Sequence, residues 1–137
     1  MKRYLLDTSA FLILRDEEEG ADQVAEILRQ ARQRRVYCFA CFITLMEVFY
    51  RIWKDEGELE GRLAYEQCQA LPVTWIHEDK TLLEKASEVK ATHQVSLADA
   101  WIGACAILKN ARLVHKDPEL EALDCDQVCL PYKHPKY

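Results

Sequence analysis

Four acidic residues stand where an acid needs a reason. Asp7 ends the apolar run Arg3-Tyr4-Leu5-Leu6, and Glu47 interrupts the apolar stretch 43–53. Asp99 follows Ser96 at the head of an almost wholly apolar segment, and Asp117 precedes Pro118 just after Leu113 and Val114. The separations are 40, 52 and 18 residues. A close pair of carboxylates can act as general acid and base, whereas three or four around one point bind a hard divalent cation through oxygen. Mg²⁺ suits such a set: it needs few protein ligands, keeps several waters and bridges to phosphate, and it lowers the pKa of a bound water. Acids brought together without a cation repel each other. Each acid also has an ordinary explanation. Asp99 and Glu47 fit capping boxes and Asp117 fits an N-cap, a role worth ~1 kcal/mol and met in most helices. Asp7 resists that reading, because an acid closing a buried strand costs desolvation unless something compensates it.

The elements that must position these acids are legible from pattern. Arg3 to Leu6 reads as a central buried strand, apolar on both faces. Thr8 or Ser9 then caps a short helix over 10–14. Asp16 to Gly20 is an acidic, solvated loop. Ala21 to Arg34 is amphipathic, with Val24, Ile27, Leu28 and Ala31 inward. Its basic end (Arg29, Arg32, Arg34, Arg35) suits a helix C-terminus, with an RNA phosphate contact as the secondary possibility. Val36 to Ala40 is a β-branched and aromatic strand. Thr44 caps the next helix with Glu47 at the capping-box position, and Leu45, Met46, Val48, Phe49, Ile52 and Trp53 form its apolar face. Phe49, Tyr50 and Trp53 fit a core, or else a dimer or partner surface. Lys54 to Gly57 ends that helix. Glu58 to Leu71 makes another, with Leu59, Leu63 and Cys68 inward.

Pro72 breaks the pattern before a strand over 73–76. Asp79 to Thr92 is a helix with Leu82, Leu83, Ala86 and Val89 inward. Ser96 opens the apolar helix that carries Asp99, and Asn110 can stop it in the left-handed conformation. Leu113 and Val114 form a short buried strand, and Asp117-Pro118 restarts a helix. Residues 127–130 are a last strand and 131–137 a tail. Strands alternating with helices imply a three-layer α/β sandwich around a mostly parallel sheet, whose ligands bind beyond the carboxyl ends of the strands.

Length and composition frame this reading. The chain has 137 residues, half of them hydrophobic and 30% charged, enough for one domain with a core of its own. No apolar run is long enough for a membrane span, and the N-terminus meets Asp7 too soon for a signal peptide, which points to the cytoplasm. A net charge of −5 argues against a general polyanion-binding surface but allows a nucleic acid held locally by a metal and a few basic side chains. The six cysteines read as free, mainly buried thiols. A zinc site from Cys38-x-x-Cys41 and Cys125-x-x-x-Cys129 is the less favoured reading, since Cys38 falls in a strand. Phosphate-loop, dinucleotide and serine-hydrolase signatures are absent, and four glycines leave little room for them. His77, His93, His115 and His134 form no pair at metal spacing. Only His115, two residues before Asp117, would border an acidic site.

Leu5-Leu6-Asp7-Thr8-Ser9-Ala10, Ile43-Thr44-Leu45-Met46-Glu47-Val48, Leu97-Ala98-Asp99-Ala100-Trp101-Ile102 and Leu113-Val114-His115-Lys116-Asp117-Pro118-Glu119, in this order, resemble the PIN-domain family. Within it the chain is most similar to the small VapC-type ribonuclease toxins. The resemblance covers Tyr4 to about Leu130. It implies one PIN-like domain over 1–137, with a five-stranded sheet in the order 3-2-1-4-5, and an endoribonuclease dependent on Mg²⁺ or Mn²⁺ that cleaves RNA with metal-activated water. It makes Asp7, Glu47, Asp99 and Asp117 the metal-binding and catalytic acids, with Thr8 or Ser9 orienting Asp7 or a bound water. It also implies a homodimer and a cognate antitoxin laid over the acidic groove. Many relatives carry Thr or Ser where this chain has His115. Glu119 is a possible auxiliary acid, and a surface helix residue on the plainer reading. The alternatives are a PIN-type nuclease of RNA processing without an antitoxin, and a non-catalytic α/β binding module whose acids are only caps.

Overall fold

The computed structural model describes residues 1–131. His134, and the expected tail from residue 132 on, lie outside the described residues. Five parallel strands form one sheet, β1 (Arg3–Leu6), β2 (Tyr37–Cys41), β3 (Thr74–Ile76), β4 (Arg112–His115) and β5 (Gln127–Cys129), in the order β3-β2-β1-β4-β5. The helices are α1 (Thr8–Asp16), α2 (Ala21–Arg32), α3 (Phe42–Glu56), α4 (Glu58–Gln69), α5 (Lys80–Thr92) and α6 (Leu97–Lys109), with a 3₁₀ turn at Pro118–Ala122. This is the expected three-layer fold in the expected strand order.

Parallel strands must be covered on both faces, and the alternation of side chains decides which helix covers which. Tyr4, Leu6, Cys38, Ala40 and Val114 point to one face, where Phe11, Ile13, Val24, Ile27, Val48, Ile52 and Ala64 of α1 to α4 meet them. Leu5, Phe39, Cys41 and Leu113 point to the other and pack on Leu82, Ala86 and Val89 of α5 and the small residues of α6. Cys38 and Cys41 therefore face opposite sides of β2. They cannot share an ion, and all six cysteines are free. Small residues let α6 come close: a side chain at Gly103 would collide with Leu123, just past the 3₁₀ turn. The α6 helix thus fixes the distance between its own first turn and the segment after β4.

Several expectations need correction. Asp7, not Thr8 or Ser9, caps α1, because its carboxylate reaches the amide of Ala10 while Thr8 and Ser9 turn elsewhere. The α3 helix begins at Phe42 behind Cys41, whose side chain makes no cap bond, so Thr44 is inside the helix and Glu47 lies in its second turn. Leu59 and Leu63, expected inward on α4, are exposed, as are Met46 and Trp53 on α3 and Leu83 on α5. The helices lie where expected, but these stripes extend past the neighbours that cover them. Asn110 does close α6 in the left-handed region (φ 50°), and Ser96 does cap its start. The arginines after α2 lead into the amino end of β2, the edge of the sheet opposite the acids, so the secondary RNA-contact reading of that cluster is not placed near them. No described helix is long and apolar enough to cross a membrane.

Candidate metal centre

All four predicted acids lie at the carboxyl edge of the sheet. Asp7 directly follows β1 and Asp117 lies two residues past β4, while Glu47 and Asp99 project from early turns of α3 and α6. Parallel pairing of β1 with β4 puts Leu6 beside Val114, and the amide of Asp7 continues that ladder to the carbonyl of Val114 (3.1 Å).

Asp7 is 3% exposed. Its Oδ1 accepts from the Ser9 hydroxyl at 2.6 Å and from the Ala10 amide at 3.0 Å. Burial pushes its pKa up to about 7 against these two bonds, and the charges of Asp117 and Glu47 add to the rise. Ser9 Oγ also accepts from the Lys116 amide (3.1 Å), which ties the start of α1 to the loop after β4. Thr8 faces the other way. Its hydroxyl donates to Glu47 Oε1 at 2.7 Å and lies 2.9 Å from the hydroxyl of buried Thr44. Because Thr8 has one hydrogen and gives it to the carboxylate, Thr44 must donate to Thr8. Arg51, one turn along α3, donates to Glu47 Oε2 at 3.2 Å.

Asp99 sits in the first turn of α6, where Ser96 Oγ accepts from its amide (3.1 Å). Burial first, then a hydrogen bond and charge from Asp117, push its pKa up to about 7; Asp7 and Glu47 contribute further. Asp117 Oδ1 caps the 3₁₀ turn by accepting from the Glu119 amide at 3.0 Å. Carboxylate oxygens of Asp99, Asp117 and Glu119 lie within 4.8 Å of one another. Glu119 is exposed in the 3₁₀ turn, as its plainer reading has it, and also lies within this cluster.

The donor chemistry fits a hard divalent ion. The trio offers only oxygen, at a spacing a single ion spans, and burial first, then the neighbouring carboxylates, raise the pKa values of Asp99 within it and of Asp7 beside it. Asp7 and Glu47 stand beside that trio, coupled to it by charge. His115 touches this edge from below: it is buried at the end of β4, and its Nδ1 accepts from the Asp117 amide at 3.0 Å. Thr44, Arg51 and Gln127 escaped the reading of the sequence. Arg51 could have been found from its i+4 spacing to Glu47; Thr44 had been taken for a cap.

The sequence matches the PIN domain family over residues 4–124. Solved structures share the fold at low identity. A toxin–antitoxin complex from Klebsiella pneumoniae aligns with a TM-score of 0.67 at 22% identity, over 91% of this chain and 95% of that one. The VapBC2 structure from Rickettsia felis, bound to a fragment of promoter DNA, aligns at 0.75 and 15%, over 93% and 98%. The Mycobacterium tuberculosis toxin VapC20, which cleaves the sarcin-ricin loop, aligns at 0.69 and 19%, over 93% and 99%. No curated protein sequence matches. With the match spanning β1 to β4 from residue 4 on and including Asp7, Glu47, Asp99, Asp117 and Glu119, the chain belongs to the PIN domain family.

Proposed function

We propose that the protein is a divalent-metal-dependent endoribonuclease, one PIN domain acting as the toxin of a VapBC-type pair. The observation that carries this reading is the gathering of Asp7, Glu47, Asp99 and Asp117 at one edge, where the carboxylates of Asp99, Asp117 and Glu119 lie within reach of a single ion. Membership of the family and the toxin–antitoxin assemblies among its structural neighbours support it. Asp99 and Asp117 would hold Mg²⁺ or Mn²⁺, with Glu119 an auxiliary acid on the exposed side and Asp7 and Glu47 completing the site directly or through water. The chemistry the ion would supply is an activated water at neutral pH and neutralisation of phosphate charge.

The rest falls to the chain's own residues. Ser9 and the Ala10 amide hold Asp7 Oδ1 and leave Oδ2 without a bond from either. The hydroxyls of Thr44 and Thr8 aim Glu47 Oε1. Asp99, whose pKa burial and the neighbouring Asp117 push up to about 7, would bind an ion in its deprotonated form. Arg51 brings a cation beside Glu47, where an RNA phosphate can displace it from the carboxylate. Hydrolysis would leave a 5′-phosphate and a 3′-hydroxyl. A cognate antitoxin would cover this groove. The exposed Met46, Tyr50 and Trp53, beside a groove floored by Phe49 and Tyr65, give a second copy or that antitoxin an apolar surface. A cytoplasmic setting follows from such a substrate.

Asp99→Asn tests the reading. It should abolish Mg²⁺-dependent RNA cleavage while the fold persists by circular dichroism. Undiminished cleavage would remove the metal role.

A further inference from the structure

The acid edge rests on two polar residues that are not acids. The His115 ring is 1% exposed. Its Nδ1 accepts from the Asp117 amide at 3.0 Å, and its Nε2 lies 2.9 Å from Gln127 Oε1 on β5. The Gln127 amide nitrogen donates to the carbonyls of Leu120 at 2.8 Å and Leu123 at 3.3 Å, in and just after the 3₁₀ turn. Two carbonyls on that nitrogen fix the side chain with its oxygen toward the ring. An accepting Nδ1 then requires the hydrogen on Nε2, so every polar atom of the pair has one role.

These bonds grip the loop at both ends. One end is the Asp117 amide, ahead of the turn. The other is Leu123, whose side chain lies against Gly103 of α6, the helix that carries Asp99. Between the two ends, Asp117 Oδ1 holds the Glu119 amide. The carboxylates of Asp117 and Glu119 therefore depend for their placement opposite Asp99 on a clamp reaching from β4 to β5. An apolar residue at 115 or 127 would fill the space but would leave the Asp117 amide and two buried carbonyls without these partners.

We infer that His115 and Gln127 are positioning residues: they set the loop that presents Asp117 and Glu119 to Asp99, and through it the affinity for a divalent cation. This rests on the metal-binding reading above and names what tunes it. Outer residues that orient ligands typically change metal affinity about 10- to 100-fold.

Titration calorimetry with Mn²⁺ alone tests it. His115→Ala and Gln127→Leu should each weaken binding by about 10- to 100-fold. His115→Asn, whose Oδ1 keeps an acceptor beside the Asp117 amide, should recover part of the loss. Wild-type affinity in either disruptive variant, or no recovery in His115→Asn, overturns the inference. If His115→Ala does not fold, Gln127→Leu carries the test. In ¹⁵N-labelled wild type, the N–H···N bond should give a scalar coupling between the Asp117 amide nitrogen and His115 Nδ1, and its absence overturns the clamp. A wild type that shows the coupling but binds no Mn²⁺ refutes the metal reading instead. The clamp is then judged on the carboxyl ¹³C resonances of Asp117 and Glu119: they should shift in Gln127→Leu and His115→Ala and return toward wild type in His115→Asn. Unshifted resonances overturn it.

Discussion

The acid edge has two halves built on different plans. In the half formed by α1 and α3, each carboxylate is held by side-chain hydroxyls: Ser9 on Asp7, Thr8 on Glu47, and Thr44 behind Thr8. In the half formed by α6 and the loop after β4, three carboxylates face one another with no hydroxyl bonded to them among the described residues; Asp117 Oδ1 caps the 3₁₀ turn, and the loop is held through its backbone by His115 and Gln127. In the first half the carboxylates themselves are held. Burial raises the pKa of Asp7 there and of Asp99 in the second half, and the second half adds the mutual repulsion of three close carboxylates. A protein that keeps such a cost has placed its acids for something other than stability.

Four measurements would sharpen or break this contrast. The largest effect is expected from Asp7→Asn and Asp99→Asn, one from each half. Both should lower metal-dependent cleavage by more than about 100-fold, the upper range for an outer residue, as read from the rate on a labelled RNA. If only one does, the halves are not one site.

The second measurement is melting temperature against pH without metal. The pKa values of Asp7 and Asp99 are pushed up to about 7 in the folded chain, above the ordinary 3.8. The folded state therefore binds more protons than the unfolded state between pH ~4 and 7, so stability falls as pH rises through that window. The midpoint should drop by roughly 5 °C between pH 5 and 8. Mn²⁺ should recover it at pH 8, since an ion bound only by the folded state stabilises it. A midpoint insensitive to both would mean that the second half carries no unbalanced charge.

Third, Thr44→Val should cost about 1 kcal/mol by denaturant melting, because it removes a buried hydrogen bond from Thr8. It should also slow cleavage by loosening Glu47. The smallest effect is expected from Glu119→Gln. It removes one exposed charge, so Mn²⁺ affinity should fall about two- to fivefold, equivalent to about 0.5–1 kcal/mol, with stability unchanged. A 100-fold loss would make Glu119 a principal ligand.

Much of this was legible in the chain because it is local. Ser96, Asn110 and Asp117-Pro118 mark their boundaries by chemistry acting within four residues, and the structure places all three where they were expected. Thr8 and Ser9 read as the caps of α1, and nothing local says that they are drawn away by Glu47 and Lys116, 39 and 107 positions distant. Thr44 was mistaken for the same reason. Its partner is on α1, and α3 starts without any side-chain cap. Leu59 and Leu63 keep helical spacing, but spacing cannot say whether a neighbour arrives to cover them. Gln127 went unnoticed because its importance lies wholly in its bonds to His115, Leu120 and Leu123.

The bond from the Lys116 amide to Ser9 Oγ closes a loop of 107 residues. During synthesis, Asp7 leaves the ribosome long before the loop that must stand beside it. A nascent chain that has not yet released β4 owns one half of the edge and nothing opposite to it. Such a chain lacks Asp117 and Glu119 and cannot assemble the three carboxylates around one point, so on the nuclease reading proposed above it would carry no activity before that loop emerges.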